Sequence, residues 1–174
     1  MSDPGCVAIA PLETERLLLR PLDDGDAAFI LELLNDPDWI RFIGDRKVRT
    51  LEDARGYIER TRAMYERHGV GSLLAEVKST GEAAGIAGLI RREGLDDADI
   101  GFAFLPRFRS RGYAYEAAAA CIDHGRRELG LTRIVAINSR DNEHSAKLLE
   151  KLGLRFEKIV TMPGDPEELR LYAT

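Results

Sequence analysis

The spacing of hydrophobic positions changes along the chain, and this change predicts the fold class. Apolar residues recur at helical spacing up to about residue 67, and short apolar runs separated by turn signals follow. The runs at 72–78, 84–92 and 98–105 are typical of three antiparallel strands. Beyond them helical and strand patterns alternate. Two helices, a meander and then alternating elements predict an α/β fold with a mixed sheet.

Local signals place the ends of the predicted elements. Asp24 or Asp26 can open the first helix, which stops before Pro37. Thr50 begins a capping box for the second helix, and Gly69 closes it. The remaining predicted elements are a strand at 16–21, a helix from about 113 to a cap at Gly130, strands at 133–138, 154–161 and 168–173, and a helix at 143–152. No repeat or low-complexity linker divides the chain, so we expect a leader over residues 1–11 and one domain over 12–174.

Composition and charge narrow the class of protein. Hydrophobic residues make up 44% and charged residues 32% of the 174-residue chain, which is a globular composition. The net charge of −5 argues against nucleic acid as a partner. Two cysteines are too few for a disulfide framework, and no apolar run reaches membrane-spanning length. These features predict a cytoplasmic protein that has no membrane partner.

A basic glycine turn is the most informative segment of the sequence. It follows the apolar run 100–105, which predicts a buried strand, and it leads directly into a helix. Backbone N–H groups at a helix N-terminus lack internal partners and can bind a phosphate. Gly112 and Ala114 keep the backbone accessible, while Arg109 and Arg111 add positive charge. The turn therefore predicts an anion cradle, although an ordinary basic connector would have the same local sequence.

The motif Arg109-x-x-Gly112-x-Ala114 resembles the (Gln/Arg)-x-x-Gly-x-(Gly/Ala) pyrophosphate signature of the GNAT superfamily, the acetyl-CoA-dependent N-acetyltransferases. Residues 142–154 are similar to the family's Asn-x-x-Ser-x-x-Leu-Leu-Glu-Lys-Leu-Gly-Phe motif, with Leu154 in place of Phe.

A third segment, residues 12–21, resembles the first strand of the branch that contains the ribosomal-protein N-terminal (Rim-type) acetyltransferases. Together the three segments extend the resemblance over nearly the whole chain.

The resemblance implies the GNAT fold, a mostly antiparallel central sheet with helices on both faces. In that fold the strand before the cradle and the strand before the last helix splay apart, and acetyl-CoA enters the gap. The residues that the resemblance assigns to acetyl-CoA are Phe104, Leu105, Arg109, Ser110, Arg111, Gly112, Tyr113, Ala114, Asn142 and Ser145.

The resemblance also implies catalytic roles. The backbone N–H of Phe104 would polarise the thioester carbonyl. Leu149 stands where many members of the family have a tyrosine that acts as the general acid, and a leucine cannot donate a proton. Ser145, one turn earlier, matches a serine that the Rim-type branch uses toward the thiolate; the alternative is that its hydroxyl only bonds its own helix. Asn142 can cap that helix and, by resemblance, meets the pantetheine arm.

The general base must come from an acid or from water. Asp99 lies five residues before Phe104 on the same predicted strand and would need burial to raise its pKa. Asp97 and Glu76 are the fallbacks, and an ordered water would leave no trace in the sequence. No histidine or cysteine spacing suggests a metal, so none is predicted.

The acceptor site is predicted around the connection between the first two helices. Trp39, Arg41 and Phe42 lie there, and the segment carries large apolar side chains where a simple linker would be polar. The predicted activity is direct acetyl transfer to a primary amine, with a protein N-terminal α-amine as the leading acceptor and a small-molecule amine (an antibiotic, a polyamine or an amino-acid derivative) as the second. A non-catalytic CoA-binding module and a ligand-free interaction domain are the rival classes. Pairing into a homodimer is left open.

Overall fold

The computed structural model describes residues 10–174, and the predicted leader at 1–11 lies almost wholly outside this range. Within it, one eight-stranded sheet has the order β1-β2-β3-β4-β5-β6-β8-β7. Neighbouring strands are antiparallel except β5 and β6, which are parallel. The mixed sheet predicted from the sequence is confirmed. The strands are β1 (Leu12–Glu13), β2 (Leu17–Arg20), β3 (Ser72–Val77), β4 (Ala83–Ile90), β5 (Ala98–Phe104), β6 (Ile134–Ser139), β7 (Arg155–Val160) and β8 (Leu169–Ala173).

Helices cover both faces of this sheet. On one face, Ile86 and Ile90 line a cavity together with Tyr57 and Met64 of α3. On the other, Gly125 brings α4 so close to β4 that a Cβ there would lie 2.6 Å from Leu89 Cδ1. The helices are α1 (Ala27–Leu34), α2 (Pro37–Phe42), α3 (Leu51–His68), α4 (Tyr113–Arg127) and α5 (Glu143–Lys151).

The structure refines two predicted helix boundaries. A short 3₁₀ turn at Asp24–Asp26 precedes α1, and Asp23 caps that turn in a capping box with Asp26. Asp26 is the N-cap residue of α1, as the sequence allowed, but its side chain forms no capping hydrogen bond to α1. Helix α4 ends at Arg127, before Gly130, which nevertheless has a positive φ of 65°.

The segment predicted as a connection contains the additional helix α2. Asp36 caps it by accepting from the Trp39 N–H, and Pro37 occupies its first turn. An acidic cap followed by proline is a helix-start signal that the sequence carries. The helix turns Trp39 into the core, where its side chain is buried. Along the described chain, no helix combines the length and the apolar character that crossing a bilayer requires.

Candidate active site

The site lies where the sheet splits. Strands β5 and β6 pair only through Ala98 with Ile134 and Asp99 with Val135, and beyond these pairs they diverge. A cavity of about 870 Å³ occupies this wedge, a volume suited to a substrate. Its walls come from α2, α3, α5 and the first turn of α4, together with the strands that border the gap. The sequence-level expectation that these two strands splay is met by this pairing.

The cradle turn has the backbone of an anion site. Gly112 is the N-cap residue of α4, with a φ of 82°, and no side chain caps the helix there. Ser110 also has a positive φ, at 60°. Left-handed residues next to a helix N-terminus turn successive N–H groups toward one side, which forms a concave anion-binding surface. The predicted cradle residues that line the cavity are Phe104, Arg109, Ser110, Gly112, Tyr113 and Ala114.

Arg16, which the sequence analysis did not assign to the site, supports the cradle. Its Nη1 donates to the Arg111 carbonyl at 2.8 Å, and its guanidinium lies 4.4 Å from the centre of the Tyr113 ring. Its Nε donates to Glu116 at 2.8 Å, and the Thr14 hydroxyl donates to the same carboxylate at 2.5 Å. The segment between β1 and β2 is therefore tied to the first turn of α4.

The same network controls the ionisation of Glu116. Burial raises the pKa of this carboxyl, but the hydrogen bonds from Thr14 and Arg16 outweigh burial and hold the pKa below its ordinary value. Thr14 and Arg16 belong to the opening segment that resembles the Rim-type branch, so the sequence marked this segment as informative. The contacts of these two residues with α4 are visible only in the fold.

Arg109 has a structural role in addition to the predicted contact with phosphate. Its Nε donates to the Phe104 carbonyl at 2.9 Å, its Nη2 to Asp36 at 2.7 Å and its Nη1 to Asp38 at 2.6 Å. Asp36 is buried, and the pair joins the cradle to the N-terminus of α2. Much of the positive charge expected at the cradle is therefore balanced by two carboxylates.

The Phe104 backbone N–H points into the wedge. Leu105 N–H donates to the Ala84 carbonyl at 3.0 Å. Because N–H groups alternate between the two edges of an antiparallel strand, the N–H of Phe104 faces away from β4, toward the gap where β6 has diverged. This orientation supports its predicted role as a donor to the thioester oxygen, which remains a prediction.

Asp99 lies at the vertex of the wedge and is 1% exposed. Arg92 forms an ion pair with its carboxylate. Burial raises the pKa of Asp99 to about 6, although Arg92 and the backbone of Ile137 favour the ionised form. The predicted base is therefore buried, lines the cavity and has a pKa close to neutral pH, but its carboxylate is ion-paired with Arg92.

Ser145 and Asn142 lie together at the start of α5, and both line the cavity. Asn142 caps the helix, because its side chain accepts from the Ser145 N–H at 3.2 Å. Within residues 10–174 the Ser145 hydroxyl forms no hydrogen bond to its own helix. The alternative that this hydroxyl only bonds the helix backbone therefore gains no support. Nearby, the buried Oδ1 of Asn138 has no partner among the described residues. An unpaired acceptor and an uncapped helix end both fit a ligand that offers amide donors and phosphates, as acetyl-CoA does.

Three predicted site residues do not line the cavity. The Arg41 side chain is exposed and bonds Asp141 at 3.0 Å, so it joins α2 to the segment before α5 instead of facing the acceptor. Leu105 is buried in the core, and its N–H is already bonded. The Arg111 carbonyl is held by Arg16. By contrast, Trp39 and Phe42 both line the cavity.

Neither covalent catalysis through cysteine nor a metal finds support in the described residues. Cys121 is buried in α4, and burial raises the pKa of its thiol to about 12, so no thiolate forms near neutral pH. Across residues 10–174 no group of three or more His, Cys, Asp or Glu side chains is placed to hold a metal ion.

Comparison with known proteins agrees with this geometry. The family model described as "Acetyltransferase (GNAT) domain" matches residues 16–155. The uncharacterised protein YkkB of Bacillus subtilis is 32% identical over 89% of this chain and 91% of its own length. The uncharacterised N-acetyltransferase YoaA of the same organism is 30% identical over 93% and 94%. A spermidine N(1)-acetyltransferase of Escherichia coli is 25% identical over 80% and 73%.

Solved structures show the same fold. An acetyltransferase from Agrobacterium tumefaciens superposes with a TM-score of 0.82 at 28% identity, over 100% of this chain and 99% of the other. The ribosomal alpha-N-protein acetyltransferase RimL in complex with coenzyme A superposes with a TM-score of 0.81, over 95% and 97%. At 19% identity, the second likeness supports the fold alone.

Proposed function

The chain belongs to the GNAT acetyltransferase family of acetyl-CoA-dependent acyltransferases. We propose that it acetylates an α-amine and that the leading candidate acceptor is the N-terminus of a protein. The observation that carries the proposal is the wedge between β5 and β6, with a cradle at one end and one buried carboxylate, Asp99, at its vertex.

The ionisation of the amine favours an α-amine. An attacking nitrogen must first lose a proton, and an α-amine has a pKa near 7.7–8.0 whereas a lysine amine has one near 10.4. A carboxylate whose pKa is about 6, or a water, can remove a proton from the first far more readily than from the second.

Named residues account for each proton and bond. Asp99 or water accepts the ammonium proton, after which the nitrogen forms a bond to the thioester carbon. The Phe104 N–H donates to the carbonyl oxygen as negative charge develops there. The carbon–sulfur bond then breaks, the electron pair stays on sulfur, and Ser145 or water supplies the proton. Cys121 is buried and supplies no nucleophile for an acyl-enzyme, which is consistent with direct transfer.

A small-molecule amine is the second candidate. A curated relative is a spermidine N(1)-acetyltransferase, and the cavity could enclose a compound of that size. A CoA-binding module without catalysis is the remaining rival, because Leu149 replaces the usual tyrosine acid.

Thiol release from acetyl-CoA, measured across amines and N-terminal peptides, tests these alternatives. We expect turnover with N-terminal peptides and little with lysine side chains or polyamines. Turnover confined to spermidine or another small amine would move the acceptor to the second class. If none of the acceptors gives thiol release although acetyl-CoA binds, the result would favour the non-catalytic module.

A further inference from the structure

Three arginines outside the cradle line the cavity. Arg46 precedes α3, Arg60 lies on α3 and Arg92 follows β4, and all three line the cavity. Tyr57 lines the same cavity; burial raises the pKa of its phenol, and the positive charges of Arg46, Arg92 and Arg60 each oppose that rise. Three separate segments therefore bring cationic groups to one region.

The charge of these arginines is only partly paired. The acids that line the same cavity are Asp36, Asp38 and Asp99. Arg109 binds the first two and Arg92 binds the third. Arg46 and Arg60 also line a second cavity, whose acids are Asp24, Glu52, Asp53, Glu59 and Glu66. In the described part of the chain, neither Arg46 nor Arg60 has an acidic side chain within ion-pair distance. Two guanidinium groups therefore remain free to bind an anion from outside the protein.

These arginines are not part of the donor cradle. The cradle is built by residues 109–114 before α4, and Arg46 and Arg60 come from a different helix and the loop before it. Lys151 of α5 also lies near the cradle, 5.4 Å from the ring of Tyr115 on the first turn of α4. Arg46 and Arg60 line the cavity together with Phe42, Met64 and Ile90, none of which belongs to the cradle.

We propose that the acceptor carries an anionic group, a carboxylate or a phosphate, besides its amine, and that Arg46 and Arg60 bind this group while the amine reaches the wedge. The inference rests on the proposed acetyl transfer. It identifies the acceptor as an acidic amino acid, another anionic amine, or a peptide with an acidic residue at its start. Polycations such as spermidine are disfavoured, because like charges would meet at Arg46 and Arg60.

Matched acceptors test the proposal. Glutamate α-amide is compared with glutamine α-amide, and a peptide that begins Ser-Glu with one that begins Ser-Gln, so that the α-amine changes little. We expect kcat/KM to be about tenfold or more higher for each anionic member, as a charge-assisted contact implies. The compound arm and the peptide arm distinguish a free metabolite from a protein N-terminus.

Arginine variants test whether Arg46 and Arg60 cause the preference for the anionic acceptor. Arg46→Gln and Arg60→Gln should each reduce the preference toward unity, whereas Arg67→Gln, an exposed change on the last turn of α3 outside the cavity, should leave it intact. Equal kcat/KM for both members of each pair, or a preference for spermidine, would overturn the proposal.

A binding measurement separates this inference from the proposed function. The same peptides are titrated calorimetrically into protein saturated with coenzyme A, where no transfer occurs. Tighter binding of the acidic peptide, without turnover of that peptide in a separate assay with acetyl-CoA, would support the anion site and refute the proposed peptide acceptor. Equal binding of the two peptides would refute the anion site.

Discussion

A Cβ added at Gly112 would lie 3.2 Å from Arg16 Nη2, and any residue replacing the glycine would have to adopt a φ of 82°. The glycine is therefore needed for backbone conformation and for the fit against Arg16, which differs from the sequence-based reason that a side chain would block the phosphate. We predict that Gly112→Val lowers affinity for coenzyme A at least tenfold, because a branched side chain in the left-handed region is strained by about 1–2 kcal/mol or more. Isothermal titration measures the effect.

Gly130→Val is the matched control for this change. Gly130 has a φ of 65° but open space around the position of a Cβ, and it lies beyond the far end of α4. Both variants should lose stability, and only the first should lose affinity. Equal affinities in the two variants would mean that the turn does not bind the donor.

Ser145 is predicted to assist departure of the thiolate. Ser145→Ala should lower kcat by roughly ten- to a thousandfold with little change in the dissociation constant of acetyl-CoA, because the contact strengthens as charge builds on sulfur. The thiol pKa near 8.5 favours the small end of that range. If kcat is unchanged while chemistry limits the rate, water is the proton source.

Asp99 gives stability a defined pH dependence. The folded pKa of about 6 lies above the ordinary value of 3.8, so the folded state binds more protons than the unfolded state between these values. The stability contributed by the protonated carboxyl is therefore present at low pH and lost as pH rises through about 6. Relative to Asp99→Asn, the unfolding free energy of the native protein should fall by up to about 3 kcal/mol from pH 4 to pH 7. Urea unfolding of both proteins across this range gives the difference, and parallel curves would contradict it.

At the scale of elements, Arg109 joins the cradle to α2. Arg109→Ala would leave the carboxylate of Asp36 buried beside the Trp39 N–H alone, so we expect a loss of about 1–3 kcal/mol in unfolding free energy, in addition to weaker donor binding. The sequence alone suggested only a modest effect on binding. Thermal and urea denaturation measure the larger one.

Arg107→Ala is the control on the same turn. Arg107 pairs with Glu32 at 2.6 Å, but both side chains are about half exposed, and such pairs contribute about 0–1 kcal/mol. A similar stability for both variants would show that the contact between Arg109 and Asp36 does not hold α2 in place.

Elements with local signals were predictable, and contacts between distant segments were not. The capping box at Thr50 and the turn at Gly69 bound α3 as expected. The sequence motif at Gly112 located the cradle, yet the residues that hold it lie far away in the chain. Arg16 is 100 residues from Glu116, and Arg109 is 73 residues from Asp36. Such pairings arise only when the sheet brings its strands together, so no local pattern indicates them.

At the scale of the whole molecule, donor binding should stabilise the fold. A ligand that binds only the folded state, present at about 100 times its dissociation constant, adds about 2.7 kcal/mol, which for a chain of this size raises Tm by about 5–10 °C. Differential scanning fluorimetry with millimolar acetyl-CoA measures the shift, and Gly112→Val should respond much less. No shift in the native protein would contradict donor binding at the wedge.

The short pairing between β5 and β6 divides the sheet into two parts of unequal size. Only two backbone-paired residue pairs join strands β1–β5 to strands β6–β8. Val135, Leu171 and Ala173 form an apolar cluster of their own, while Ile134, Ala136 and Tyr172 of the same strands pack into the main core. Segments with few shared contacts open as separate cooperative units in native-state hydrogen exchange. Amides of β6 and β8 should therefore exchange through a partial opening that spares β3 and β4. A donor lying in the wedge would contact both parts, and its binding should merge the two exchange rates into one.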